Sequence, residues 1–336
     1  MNKNNTRNIN KNENTNDKTD ILLITNKIFQ PLDNAEEIIL EVIPEAEVNI
    51  LHYKEITEEI IKKTNIIFGW PRYRHLKIAE NLEWLHLPSA GVENYTDKSL
   101  YNNGQIILSN SSGVYGKPIA EHVLALILSF NRNIPYYVEK KMEKKWEKRY
   151  KPRDFFNSKL AVIGLGDIGS EIAVRAKAMG AEVMAVKKHI TEVPDYVDHL
   201  YTTEEMDKVF KKADYIVLAL PLTEETKEII STEEFKMMKE SAYLVNIGRG
   251  ELIDQSALIK ALKDEWIAGA GLDVTVPEPL PEESPLWEIP NVQITQHSSG
   301  FSPSNDIREF DIFIKNLKKF KQNKKLINVV DFELGY

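Results

Sequence analysis

The stretch Leu160-Ala161-Val162-Ile163-Gly164-Leu165-Gly166-Asp167-Ile168-Gly169 decides how this chain is read. Four apolar residues read as a buried strand and run into a glycine-rich turn. Ile168, Ile172, Ala176 and Met179 then share one face of a helix that Gly180 stops. Gly164 allows the tight turn, Gly166 lets a pyrophosphate approach the backbone, and Gly169 lets the helix pack close to the strand. The helix start at Asp167 and Ile168 then faces an anion. Placed inside a βαβ unit, the turn reads as a dinucleotide site rather than as a structural turn alone.

Working outward, the apolar runs Val183–Val186, Tyr215–Leu220, Ala242–Ile247, Ala268–Leu272 and Val292–Thr295 alternate with helix-compatible segments. With Leu160–Ile163 they make six parallel strands of a doubly wound nucleotide-binding domain. Upstream, Ile21–Thr25, Val48–His52, Ile66–Trp70, Leu85–Leu87 and Ile106–Ser109 make a second open α/β sheet of five strands. Between the sets, Lys117 to Trp146 is predicted as one long helix with an apolar stripe at Ile119, Val123, Leu124 and Ile127. Asn305 to Gln322 is predicted as a final helix, followed by a strand-like Leu326–Asp331. The fold class is α/β, with two doubly wound parallel-sheet domains. A chain of 336 residues accommodates both, at about 150 residues per domain.

Composition narrows the function classes. The formal charge is −8, from 51 acids against 43 bases, which argues against a general nucleic-acid binder. There is no cysteine, so disulfides, thiolate nucleophiles and cysteine-ligated metals are excluded, and a reducing cytoplasm suits the chain. No apolar stretch approaches the roughly 20 residues needed to span a bilayer. Residues 1–19 contain eight Asn and almost nothing that can be buried, and are expected to be a disordered tail, with an interaction tail as the alternative.

Ligands of open α/β sheets sit beyond the carboxyl ends of the strands. Three ionisable residues of the second domain stand there: Arg249 within Asn246-Ile247-Gly248-Arg249-Gly250, Glu278 after Gly271-Leu272-Asp273-Val274, and His297 after Val292–Thr295. A guanidinium that holds a carboxylate bidentately, and an imidazole charged by a neighbouring carboxylate, suit proton-coupled chemistry at a carbonyl. Taken singly, each also has a structural reading; His122 and His86 are read as packing or surface residues.

These motifs, in this order, resemble the D-isomer-specific 2-hydroxyacid dehydrogenase family, most closely its glyoxylate/hydroxypyruvate reductase-like members. Glu278-Pro279-Leu280-Pro281, Gln296-His297-Ser298-Ser299-Gly300, Ser89-Ala90-Gly91-Val92 and Asn110-Ser111-Ser112-Gly113 extend the likeness across most of residues 20–336. The resemblance implies a Rossmann domain over residues 116–300 inserted into a flavodoxin-like substrate domain over 20–115 and 301–336, and a homodimer built partly by the helix from Lys117. It implies that Arg249 binds the substrate carboxylate, that His297 is the general acid or base and that Glu278 orients it. Amides around Ala90, Gly91 and Val92 would hold the carboxylate. Pro221, Thr226, Gly248, Asp273 and Gly300, with Arg249 and His297, match positions near the coenzyme. Gln296 stands where proline commonly precedes the family's His.

The implied reaction passes a hydride between a nicotinamide coenzyme and C2 of a small 2-oxo or 2-hydroxy acid. The competing class is a dinucleotide-sensing binding protein such as a corepressor; a formate dehydrogenase is disfavoured because Glu278 stands where those enzymes have Gln. Lys187, 23 residues beyond Gly164, occupies the position at which NAD-dependent members carry an acid for the ribose 2′-hydroxyl. With Lys188 beside it, NADPH is the expected coenzyme, the alternative being a solvated strand end. Arg72, Tyr73, Arg74 and His75 follow the third strand and either face the acid's side chain or lie on the surface.

Overall fold

The computed structural model describes residues 18–149, 151–190 and 192–335. The chain divides into two units, one made of the chain up to Val114 together with Pro303–Tyr336, the other of Tyr115–Ser302.

The first unit carries β1 (Asp20–Thr25), α1 (Ala35–Val42), β2 (Glu47–His52), α2 (Glu58–Lys63), β3 (Ile66–Phe68), α3 (Tyr73–Ile78), β4 (Trp84–Leu87) and β5 (Ile107–Asn110). The strands pair in parallel in the order β2-β1-β3-β4-β5, the flavodoxin-like doubly wound order. Strands β3 and β4 are buried along their whole length, which is why they read as unbroken apolar runs. β3 stops at Phe68 rather than Trp70, because Gly69 turns at φ +140° and a Cβ there would lie 2.7 Å from Ile24 Cβ.

The second unit carries α4 (Gly116–Asn131), α5 (Ile134–Met142), β6 (Lys159–Ile163), α6 (Asp167–Ala178), β7 (Glu182–Val186), β8 (His199–Tyr201), α7 (Met206–Phe210), β9 (Tyr215–Leu218), α8 (Thr232–Met237), β10 (Tyr243–Asn246), α9 (Gln255–Lys263), β11 (Gly269–Leu272) and β12 (Val292–Ile294). Its parallel sheet runs β12-β11-β10-β9-β6-β7-β8, the Rossmann order extended by one strand. The order reverses at β6, whose neighbours are β9 and β7. The chain then returns to the first unit as α10 (Asn305–Lys321). There Phe313 stacks on Phe68 and Trp84, with ring centroids 4.5 and 5.2 Å apart.

Several expectations are corrected. The sheet has seven strands, not six: β8 is only three residues long and opens on an exposed His, so it carries no apolar run. The long helix is two, because Asn133 takes a left-handed φ of 55° and Pro135, in the first turn of α5, has no amide proton to continue α4. Leu326–Asp331 is not a strand; it contributes a single antiparallel bridge from Val329 to Ser109. Met179 is exposed beyond the end of α6, whereas Gly169, Ile172, Ala173 and Ala176 form the buried face. Of the expected tail, residues 1–17 lie outside the described residues, but Thr19 is already tied in, its carbonyl accepting from Glu47 N at 2.9 Å.

The first unit's core contains one complete polar network. Trp84 Nε1 donates to Ser109 Oγ at 2.8 Å, and Ser109 Oγ lies 2.7 Å from His86 Nδ1. Ser111 Oγ donates to the Leu87 carbonyl and lies 3.3 Å from His86 Nε2. Ser109 therefore gives its one proton to Nδ1, and Nε2–H donates to Ser111. Burial pushes the pKa of the fully enclosed imidazole down to about 3 from 6.5.

An unfolded chain takes up a proton at this residue below about pH 6.5, and the native chain does not until about pH 3. The network's stability is fully present above that window and falls as pH drops through it, by up to about 1.4 kcal/mol per pH unit. Urea unfolding at pH 7 and pH 5 is expected to show a steeper loss for the wild type than for His86→Gln. Parallel losses would contradict the assignment.

Candidate functional site

The glycine turn sits where the sheet order reverses. Gly164 has φ +102°, and a Cβ there would lie 2.5 Å from the Ala219 carbonyl of the neighbouring strand end. A Cβ on Gly169 would lie 2.0 Å from the Gly164 carbonyl, so α6 packs onto β6 more closely than any side chain permits. A Cβ on Gly166 would meet nothing within 4 Å. Two glycines thus answer to protein neighbours and the middle one borders open space at the first turn of α6. That cradle fits a phosphate-bearing ligand held by amides at a helix start.

The loops after β10, β11 and β12 lie side by side. Asn246, buried at the end of β10, accepts from Gly248 N at 3.1 Å and donates to the Arg249 carbonyl at 2.8 Å, which sets the turn that presents Arg249. A Cβ on Gly250 would lie 2.3 Å from the Thr275 carbonyl, so this turn presses on the loop after β11. Gln255 on α9 clamps that loop from both sides: its Oε1 accepts from Val276 N at 3.0 Å and its Nε2 donates to the Val276 carbonyl at 2.5 Å. Glu278 Oε1 accepts from Thr275 N at 3.2 Å, and Oε2 lies 2.9 Å from His297 Nδ1. With Nδ1 engaged by a carboxylate, Nε2 is the nitrogen left to exchange a proton. Both side chains remain solvent-accessible.

His297 takes φ +49°, costly for a residue with a Cβ, by about 1–2 kcal/mol. Asp273 makes that turn: its carbonyl accepts from His297 N at 2.8 Å, and its carboxylate accepts from Ser298 N at 2.9 Å and Ser299 N at 3.0 Å. Burial alone would raise the Asp273 pKa, but hydrogen bonds from Ser299, Thr295 and the two amides hold it below the usual carboxylate range. Arg249, Glu278, Asp273 and His297 therefore stand on three successive strand ends, with the Glu278–His297 contact made directly.

At the other end of the crevice, Lys187 and Lys188 are exposed just beyond β7. Lys188 Nζ pairs with Glu225 Oε2 at 2.5 Å. Glu225 lies in the loop after β9, between Pro221 and Thr226, where Thr226 Oγ1 donates to the Pro221 carbonyl at 2.7 Å and accepts from Thr223 N at 2.8 Å. No ion pair forms at Lys187 among the described residues. Gly300 lies near Tyr115: a Cβ on it would be 3.3 Å from Tyr115 Cδ1.

In the first unit, Ala90, Gly91 and Val92 follow β4 in a tied loop. Asn110 Nδ2 donates to the Ala90 carbonyl at 2.8 Å, Ser89 Oγ to the Gly91 carbonyl at 2.8 Å, and Ser111 N to the Ser89 carbonyl at 2.9 Å. Of the four residues after β3, Arg72, Tyr73 and Arg74 are exposed, with the Arg72 guanidinium 5.3 Å from the centre of the Tyr53 ring. His75 is buried, and burial, then Arg74 and Arg72, lower its pKa.

Three residues of the site were not singled out in sequence: Gln255, Thr295 and, as more than a packing residue, His122. Thr295 alone carried a signal, as the hydroxyl ending an apolar run two residues before His297.

Comparison with known proteins identifies the family. The family described as D-isomer specific 2-hydroxyacid dehydrogenase, NAD binding domain, matches residues 124–299. A glyoxylate reductase of Korarchaeum cryptofilum is 32% identical over 73% of this chain and 75% of its own length. A D-3-phosphoglycerate dehydrogenase of Methanocaldococcus jannaschii is 32% identical over 90% of this chain and 59% of its own. The crystal structure of a D-isomer specific 2-hydroxyacid dehydrogenase family protein from Aeromonas salmonicida superposes with a TM-score of 0.81 at 30% identity, covering 94% of this chain and 99% of that one. With its glycine turn at the sheet's reversal point and its Arg, Glu and His on successive strand ends, the chain belongs to the D-isomer specific 2-hydroxyacid dehydrogenase family of NAD(P)-dependent enzymes.

Proposed function

We propose that this protein reduces a small 2-oxo acid to the D-2-hydroxy acid, or runs the reverse reaction, with NADPH as the preferred coenzyme. The observation that carries the reading is the His297–Glu278 contact of 2.9 Å: it supports an imidazole with a carboxylate on Nδ1 and Nε2 left open, in a chain of a known dehydrogenase family. The coenzyme supplies the hydride. Arg249 binds the substrate carboxylate and polarises the carbonyl to be reduced. His297 gives its Nε2 proton to the forming hydroxyl, and Glu278 holds Nδ1 and stabilises the cationic ring. Gly164, Gly166, Gly169 and the start of α6 at Asp167 and Ile168 cradle the pyrophosphate. Pro221, Thr226, Gly248, Asp273 and Gly300 line the rest of the coenzyme site.

Turnover is measured as nicotinamide absorbance with a panel of 2-oxo acids beginning with glyoxylate. His297→Ala is expected to lower kcat by about 10²–10⁴-fold, the usual weight of a general acid. Arg249→Ala is expected to raise KM as well, because the guanidinium holds the ground-state carboxylate. Wild-type kinetics for His297→Ala would overturn the reading.

The coenzyme preference rests on Lys187. A 2′-phosphate carries about −1.5 to −2 charges, and an ammonium at the end of β7 attracts it where an acid would repel it. Lys188 already has Glu225 as partner, so Lys187 carries most of the discrimination. kcat/KM is expected to favour NADPH at low salt, and Lys187→Asp to reverse the ratio. A wild-type preference for NADH would refute the assignment.

A homodimer is proposed through α5, which exposes Ile134, Tyr137, Val138 and Met142, with Trp146 97% exposed just beyond. Light scattering at micromolar protein is expected to give twice 38.6 kDa; the monomer mass would count against it.

A further inference from the structure

β12 is fastened to α4 by alternate side chains. Gln293 Nε2 donates to the Leu126 carbonyl at 3.0 Å, and Thr295 Oγ1 lies 3.0 Å from His122 Nε2. Gln293 and Thr295, two residues apart, anchor the end of β12 and the segment just beyond it, four and two residues before His297.

The direction of the Thr295 contacts follows from proton counting. Thr295 Oγ1 lies 2.6 Å from Asp273 Oδ1, and an ionised carboxylate only accepts. The single hydroxyl proton is therefore spent on Asp273, and the contact with His122 requires His122 to donate from Nε2–H. The chain of bonds runs one way, from His122 through Thr295 to Asp273, and ends on the carboxylate that gathers the amides of Ser298 and Ser299. His122 Nε2 itself lies 3.8 Å from Asp273 Oδ1, and Asp273 is 1% exposed. His122 is the only side chain able to carry a positive charge that pairs with this buried carboxylate among the described residues.

We propose that His122 is a positioning residue for His297: through Thr295 it fixes the rotamer of Asp273 and so the left-handed turn that aims the catalytic imidazole. Three hydrogen bonds to backbone amides depend on where the Asp273 carboxylate and carbonyl lie, and the hydroxyls of Thr295 and Ser299 restrain the side chain further, Thr295 being the one that ties it to α4. Without His122 donating, Thr295 Oγ1 keeps an unsatisfied lone pair in a half-buried site and loses its fixed direction. His122 sits on α4, and a Cβ on Gly116 at the start of the same helix would lie 2.8 Å from Asp167 Oδ2. One helix thus abuts both the coenzyme turn and the catalytic loop.

The proposal rests on the reaction assigned above, and its test separates the two. His122→Phe keeps the ring but cannot donate, His122→Gln restores a donor at a similar reach, and Thr295→Val removes the relay. On a 2-oxo acid that the wild type reduces, His122→Phe and Thr295→Val are expected each to lower kcat about tenfold or more, the scale on which small misplacements of a reacting group act. His122→Gln is expected to recover most of the loss, and the His122→Phe/Thr295→Val double variant to be no slower than the worse single variant. Losses that multiply in the double variant, a Gln variant as slow as the Phe variant, or unchanged kcat in His122→Phe would overturn the proposal. ¹⁵N NMR of histidine-labelled protein needs no turnover: neutral His122 is expected as the Nε2–H tautomer, altered by Thr295→Val. An Nδ1–H tautomer refutes the wiring whatever the activity, whereas a wild type inert with every 2-oxo acid refutes the reaction alone.

Discussion

The second unit depends on how closely α6 lies against β6. A Cβ at position 169 would come within 2.0 Å of the Gly164 carbonyl, so the approach exists only because residue 169 has no side chain. That closeness brings the start of α6 to the carboxyl edge of the sheet at the strand where the order reverses. The helix start and the partial positive charge it carries then face the crevice. The other loops inherit their positions from the same sheet: parallel pairing puts the ends of β9, β10, β11 and β12 on one edge, and each contributes part of the site.

A second constraint acts at the far end of that edge. Asp273 is buried, and an ionised carboxylate removed from water is destabilising unless hydrogen bonds replace its solvent shell. Here they do: two hydroxyls, of Thr295 and Ser299, and two amides bind it, and its carbonyl takes a third amide. These bonds in turn offset the cost of the positive φ at His297. Glu278 has a different duty, since it is exposed and shares its two oxygens between a backbone amide and His297. One carboxylate shapes the backbone under the imidazole and the other holds the direction of its ring.

Much of this was legible in sequence, and the reasons are specific. Parallel strands buried on both faces read as continuous apolar runs, which located β6, β7, β9 and β10 to within a residue or two. In the sequence Arg249, Glu278 and His297 follow the ends of such runs, and the fold puts them in the loops after three successive strands. Elements that bury little were invisible: β8 has three residues on an exposed edge, and the break between α4 and α5 turns on Asn133 adopting a conformation that nothing in an apolar stripe signals. Contacts across the chain were invisible too. His122 and Thr295 are 173 residues apart, and neither composition nor period relates them.

Three histidines show why residue type alone does not assign a role. His86 is enclosed in the first unit between two hydroxyls that fix it as a neutral ring, so it holds strands β4 and β5 and the loop beyond them without exchanging protons near neutral pH. His297 is accessible and has a carboxylate on Nδ1, which leaves Nε2 open to a reacting group. His122 lies between these cases, half-buried, with Nε2 spent on a threonine that is itself spent on a carboxylate. What separates them is the partner of each nitrogen and its access to solvent. A ring with both nitrogens engaged inside a core can only hold structure. A ring with one nitrogen bound and one open can move a proton, and a ring that donates into a directed chain of bonds sets the geometry of the group at the end of that chain.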